Sequence, residues 1–210
     1  LLNGEQQILW PSEVNWFAKS SGTTNSRSKY IPVTNEALED CHFKGGKDMI
    51  SIYVNNYPDS KIYAGKGLVI GGSHQINQFD KKSRSYYGDV SAVIIKNLPF
   101  WSQIKKTPPT DIALMSDWEE KIEKMAEITS EENVTSIYGV PTWTIVLIKK
   151  ILELKNAENI LEIWPNLQLF VHGAVSFLPY RRLFKELIPS DDMRYMETYN
   201  ASEGFFGIQD

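Results

Sequence analysis

Val134-Thr135-Ser136-Ile137-Tyr138-Gly139-Val140-Pro141 is the stretch from which the fold follows. Residues 134–138, four of them apolar or β-branched, read as a strand, and Gly139 ends it. Pro141 suits the first turn of a helix, where its missing N–H has no partner to lose. The apolar run behind it predicts a helix to about Leu154. The pattern recurs downstream. Residues 167–171 read as a strand ending at His172-Gly173-Ala174, and residues 193–198 as one followed by Tyr199-Asn200-Ala201-Ser202-Glu203-Gly204. Short helices are expected over 159–162 and 180–187.

Upstream, Trp118, Ile122, Met125 and Ile128 recur at helical spacing with Glu and Lys between them, which predicts an amphipathic helix over 116–129. Leu68-Val69-Ile70 reads as a short strand before Gly71-Gly72-Ser73-His74, and residues 12–18 as an extended segment. Thr34 or Asn35, with Glu36 and Glu39 behind, carries helix-start chemistry. Residues 49–54 and 93–95 fit either a helix or a strand. Residues 55–60 form a turn cluster. Residues 75–91 read as an irregular excursion, and Pro99, Pro108 and Pro109 as the brackets of a loop. Strands alternating with helices give an α/β class, with mixed or parallel sheets flanked by helices. In such sheets ligands sit beyond the carboxyl ends of strands, so the turns after Tyr138, His172 and Thr198 are expected to line one crevice.

A second region has the chemistry of an anion site. Ser20-Ser21-Gly22-Thr23-Thr24-Asn25-Ser26-Arg27-Ser28-Lys29 packs hydroxyls, a glycine and cations into ten residues. Gly22 permits close backbone approach, consecutive N–H groups can form an anion-binding concavity, and the hydroxyls add rotatable donors. Lys29 adds a point charge and Arg27 a planar fork. The Gly-x-x-x-x-Gly-Lys-Ser/Thr spacing of a P-loop is absent. Taken alone, such a cluster is more often a solvated loop.

Bulk properties narrow the class. The chain has 210 residues, with 26 acidic and 22 basic side chains. No Lys/Arg block supports nucleic-acid binding. One cysteine, Cys41, excludes an internal disulfide and fits a reducing, cytoplasmic compartment. No apolar run reaches the ~18 residues of a membrane span. Cys41 and His42 lack companions at zinc spacing. The chain opens at Leu1 and stops at Asp210 without polar tapering, which suggests a piece of a longer protein.

Three segments in this order carry a resemblance: Ser20-Ser21-Gly22-Thr23-Thr24 with Lys29-Tyr30-Ile31-Pro32, then Tyr138-Gly139-Val140-Pro141-Thr142-Trp143, then Tyr199-Asn200-Ala201-Ser202-Glu203-Gly204-Phe205-Phe206-Gly207. They resemble the signature segments of the Gretchen Hagen auxin-responsive family, acyl acid–amido synthetases of the acyl-adenylating superfamily. The resemblance implies that residues 1–210 are part of a large N-terminal nucleotide- and acyl-binding domain, without the mobile C-terminal domain. It implies ATP and Mg²⁺ as cofactors, and a small carboxylic acid and an amine, usually an amino acid, as partners. By resemblance Ser21, Gly22, Thr23 and Thr24 hold phosphates, Gly173 and Ala174 lie along adenine, and Tyr199 packs on the purine. Asn200 and Ala201 stand beside it, and Ser202 meets the phosphates. Glu203 holds Mg²⁺, and Lys29 stabilises developing phosphate charge. Tyr138, Val140 and Trp143 line the acyl side; His74, behind a Gly-Gly turn, is placed with them as a substrate contact, its other reading being a hydrogen-bonded structural histidine.

The departures, Asn200-Ala201 and Asn25-Ser26-Arg27-Ser28, are closer to bacterial members than to plant ones. They bear on the acid and the acceptor more than on the nucleotide. An acyl-CoA ligase shares the first half-reaction, and a non-catalytic nucleotide- or acyl-binding module shares the fold. A chain lacking the C-terminal domain is expected to bind ATP poorly and turn over little. His172 reads as a structural histidine, and Arg181 and Arg182 as a solvated helix face.

Overall fold

The computed structural model describes residues 5–20, 28–72, 76–79 and 84–210. The chain begins with β1 (Trp16–Ser20) and β2 (Lys29–Val33), then a π-helix (Ala37–Phe43) that runs directly into α1 (Lys44–Asn56). A 3-10 turn (Ile62–Ala64) leads to β3 (Lys66–Val69), β4 (Asn77–Gln78), β5 (Tyr86–Gly88), α2 (Val90–Lys96), α3 (Phe100–Lys105), β6 (Lys106–Thr107) and α4 (Thr110–Ala113). The remainder is α5 (Trp118–Thr129), β7 (Val134–Tyr138), α6 (Pro141–Lys155), a 3-10 turn (Ile160–Glu162), β8 (Leu169–Gly173), α7 (Arg181–Leu187), β9 (Arg194–Ala201) and β10 (Gly204–Ile208).

Two sheets result. The larger has the order β10-β9-β8-β7-β3-β6. Its members from β6 to β9 are parallel, and β10 returns antiparallel on β9. The smaller has the order β2-β1-β5-β4. Both faces of the larger sheet are covered, which explains why β7 and β8 are buried at successive positions rather than at alternate ones. On one face Leu68, Ile137 and Phe170 pack against Met125 of α5, Ile148 and Ile151 of α6, and Phe184 of α7. On the other, Leu169, Val171 and Met196 meet Met49 and Tyr53, one turn apart on α1. Each such side chain contributes about 1.5–3 kcal/mol on burial. Trp164 closes the first layer with no exposed surface, and its indole N–H donates to the Thr129 carbonyl at 2.8 Å.

The start signal acts as expected. The Thr34 hydroxyl accepts from the Ala37 N–H at 3.1 Å ahead of the π-helix; the structure adds a cap that the sequence reading does not name, Asp117 accepting from the Glu120 N–H at 2.9 Å at the start of α5. Residues 49–54 and 93–95 are helical, because in both the apolar positions meet a sheet on one side only. Two expectations are corrected. Residues 86–88 are not an irregular excursion but β5, parallel to β1, where Tyr87 packs edge-on to Tyr30 at 5.2 Å. The stretch between Pro99 and Pro108 holds α3 and β6, a helix and an edge strand too short to show a period. Among the described residues no helix is long and apolar enough to cross a membrane.

Candidate functional site at the carboxyl edge of the large sheet

Strand register decides which turns meet. Val69 pairs with Tyr138, Tyr138 with Val171, and Gly173 with Thr198. These strands are parallel, so Gly71-Gly72, Gly139-Val140, Gly173-Ala174 and the β9–β10 hairpin all emerge from one edge of the sheet. That edge is where an open α/β sheet offers a crevice to a ligand.

Each turn is built for close approach. A β-carbon on Gly173 would stand 2.3 Å from the Thr198 carbonyl oxygen, so only glycine lets β8 and β9 close up there. Ala174 follows with φ +66°, a left-handed conformation that costs a non-glycine residue about 1–2 kcal/mol. Strain of this kind concentrates at ligand sites. The Gly72 turn is tied to the start of α2: Gly72 N–H donates to Ser91 Oγ at 2.9 Å, and Ser91 Oγ donates to Asp89 Oδ1 at 2.7 Å. Lys121, fully buried, donates to the Gly72 carbonyl at 3.1 Å. Burial holds its ammonium below the usual lysine range, opposed by the nearby Asp89 carboxylate. Lys121 thus departs from the solvated role expected of a lysine between the apolar positions of α5.

The β9–β10 hairpin presents the last motif. Ala201 pairs with Gly204, which leaves Ser202-Glu203 at the tip. The Tyr199 ring is 62% exposed, open to a stacking partner, with Phe206 5.3 Å away. Among the described residues nothing hydrogen-bonds or ion-pairs with the exposed Glu203 carboxylate. Asn200 is held from beneath: its Oδ1 lies 3.0 Å from Nδ1 of the buried His42.

The remaining expected residues fall as follows. Tyr138 turns toward the α1 face, against Gly67, and burial pushes its phenol up to about 12. Val140 precedes α6 and offers no side-chain cap, so the first N–H groups of that helix face the same edge unpaired by a cap. Trp143 is half-buried and packs on Trp118 at 4.2 Å between ring centres. Lys29 is exposed at the start of β2, opposite Ser20, in the smaller sheet. Ser21, Gly22, Thr23, Thr24 and His74 lie outside the described residues. The structure therefore gathers Val140, Gly173, Ala174 and Tyr199 to Glu203 at one edge, with Tyr138 and Trp143 packed behind it. His42 and Lys121 carry no local sequence signal for these contacts, since their partners lie far away along the chain.

Metal chemistry can be tested against the donor set. Among the described residues no three His, Cys, Asp or Glu side chains cluster to form a protein-built cage. A single unpaired carboxylate such as Glu203 fits Mg²⁺, which is commonly held by one or two carboxylates together with substrate phosphates.

Comparison with known proteins places the fold. Residues 1–193 match the model described as GH3 family N-terminal domain. The structure titled AtGH3.15 acyl acid amido synthetase in complex with 2,4-DB superposes with a TM-score of 0.72 at 15% identity, covering 99% of this chain and 44% of that one. A second, titled GH3.15 acyl acid amido synthetase, gives 0.67 at 14% identity over the same shares. The chain thus spans less than half the length of these structures. No curated protein sequence matches it. With the family model covering most of its length, the chain belongs to the GH3 family, named for the Gretchen Hagen auxin-responsive proteins, and lies in that family's N-terminal domain.

Proposed function

We propose that this chain is the nucleotide- and acyl-binding part of an ATP-dependent ligase that activates a carboxylic acid as its acyl adenylate and passes the acyl group to an amine, an amino acid by preference. The observation that carries the reading is the gathering of the strained Gly173-Ala174 turn and the Tyr199–Glu203 hairpin at one carboxyl edge. Family membership and the printed names of the similar structures support it.

The chemistry suits such a site. A carboxylate is a poor electrophile. Its oxygen attacks the α-phosphorus of ATP, the bond to the bridging oxygen breaks, and pyrophosphate departs. The amine then attacks the acyl carbon, AMP leaves, and the nitrogen loses a proton. No enzyme nucleophile is needed; charge growing on phosphate oxygens must be met by pre-aimed donors. In this reading Tyr199 stacks on the purine, Gly173-Ala174 lies along it, and Asn200-Ala201 flank it. Ser202, with Ser21, Gly22, Thr23 and Thr24, donates to phosphates, and Lys29 adds charge. Glu203 would hold Mg²⁺, which supplies charge neutralisation when bound. Val140, Tyr138 and Trp143, with His74, shape the acyl side.

ATP–pyrophosphate exchange with the complete protein and a panel of carboxylic acids tests this. Acid-dependent entry of labelled pyrophosphate into ATP is expected. Its absence with every acid favours a non-catalytic binding module. Separate addition of amino acids or CoA then separates an amide-forming synthetase from an acyl-CoA ligase.

A further inference from the structure

We propose that His42, assisted by Cys41, is a positioning residue that sets the β9–β10 hairpin, and with it Tyr199 and Glu203, on the nucleotide. The inference rests on the reading of that hairpin given above. The two neighbours leave the same helix and reach two points of one hairpin. His42 is 5% exposed, with Nδ1 3.0 Å from Asn200 Oδ1. The Phe205 N–H donates to Cys41 Sγ at 3.2 Å. The first contact grips the outgoing strand one residue past Tyr199, and the second the returning strand two residues past Glu203. With an amide oxygen as acceptor, Nδ1 carries the proton.

The helix that supplies the pair is a π-helix of seven residues. Such turns are rare and recur at functional sites. Close packing seats the hairpin on it. Gly204, at φ +155°, would bring a β-carbon to 3.2 Å from Cys41 Sγ, and a β-carbon on Gly45 would stand 2.5 Å from the Phe205 ring. The π-helix also shares a buried cluster with the smaller sheet: Leu38 and Phe43 pack with Ala18 and Val33. It therefore links the strands flanking the Ser/Thr loop to the hairpin carrying Glu203. The partners are 158 residues apart in sequence for His42 and 164 for Cys41, so tertiary structure alone creates the contact.

The test compares the complete wild-type protein with His42→Phe, His42→Gln and Cys41→Ala, by amide hydrogen exchange and by ATP–pyrophosphate exchange kinetics. In His42→Phe the amides of residues 199–205 should exchange about tenfold faster, the loss of roughly one buried hydrogen bond, while those of 134–138 and 169–172 keep their protection. The ATP KM should rise by a similar factor with the acid KM unchanged. His42→Gln, which retains a donor, should recover most of both, and Cys41→Ala should loosen residues 204–206. If His42→Phe does not fold, Cys41→Ala and His42→Gln decide: wild-type hairpin exchange in Cys41→Ala overturns the proposal. Unaltered hairpin protection in His42→Phe overturns it. So does a fall in maximal rate at wild-type ATP KM, which marks a structural role only. Absence of acid-dependent exchange in the wild type sinks the ligase reading instead, and hydrogen exchange still decides whether the pair holds the hairpin.

Discussion

Gly173 and Thr198 pair across β8 and β9 at a separation that admits no side chain: a β-carbon on Gly173 would lie 2.3 Å from the Thr198 carbonyl oxygen. The atom in the way is backbone, so it cannot swing aside. Gly173→Ala must push β9 outward, together with Tyr199 one residue beyond Thr198. A destabilisation of about 1–3 kcal/mol is expected, read by urea unfolding, with a rise in ATP KM in the exchange assay. Wild-type stability would show that β9 yields without strain.

Ala174, next along, gives the opposite sign. Its φ of +66° is uncomfortable for any L side chain, and the residue is exposed, so its methyl group packs on little. Ala174→Gly relieves that strain but enlarges the unfolded ensemble, leaving a net gain of about 0.5–1 kcal/mol. Ala174→Val, β-branched, should lose more than about 1 kcal/mol. Thermal melts of the two variants check the pair of signs together. If both destabilise equally, the conformation at 174 is not left-handed.

His172 sets an acid limit. It is buried, stacks on Phe177 at 4.1 Å, and its Nδ1 has no hydrogen-bond partner among the described residues. Burial holds its imidazole below the usual value of 6.5, opposed by Glu197 and reinforced by Arg181. The folded state therefore binds fewer protons than the unfolded one below about pH 6.5. Stability is full above that pH and falls as pH drops, by at most about 1.4 kcal/mol per pH unit for each such histidine. His42, lowered chiefly by burial, adds to the same slope. His172→Phe keeps the aromatic stack and removes the titrating group. Urea unfolding at pH 7.5 and 5.5 should show a shallower acid loss than wild type. An unchanged slope would mean that His172 does not titrate on unfolding.

The sequence disclosed what depends on neighbours along the chain. Thr34 announces its helix because a cap bonds three residues away, and Gly139-Val140-Pro141 announces a strand-to-helix turn for the same local reason. The turns after Tyr138 and at Gly173-Ala174 are readable too, and their shared edge follows from the alternation of strands and helices; the third is placed too early, because Tyr199–Ala201 continue β9 by pairing with β10 and the turn lies at Ser202-Glu203. What stayed hidden depends on partners far away. β5 was unreadable because Tyr86, Tyr87 and Gly88 gain strand character only by pairing with β1. Lys121 looked solvated because nothing nearby signals that its ammonium reaches the Gly71-Gly72 turn, about fifty residues upstream. His42 gave no hint of Asn200.

Glu203 offers the sharpest separation of chemistry from folding. It stands at the exposed tip between β9 and β10, and no described residue pairs with its carboxylate. Removing that charge breaks no hydrogen bond or ion pair among the described residues, so the melting temperature of Glu203→Gln should match the wild type within about 1 °C, as for surface substitutions generally. In the proposed reaction the same carboxylate carries the metal that offsets charge on the departing pyrophosphate. A neutral amide keeps the shape and loses the ionic attraction for Mg²⁺. Acid-dependent exchange should fall by at least about tenfold, and extra Mg²⁺ should restore part of it, because weakened metal affinity responds to mass action. Tyr199→Ala should behave differently, raising ATP KM without any response to Mg²⁺, since an exposed ring contributes stacking area rather than charge. If Glu203→Gln exchanges at the wild-type rate at low Mg²⁺, the hairpin tip does not face the phosphates, and the metal role passes to another part of the protein.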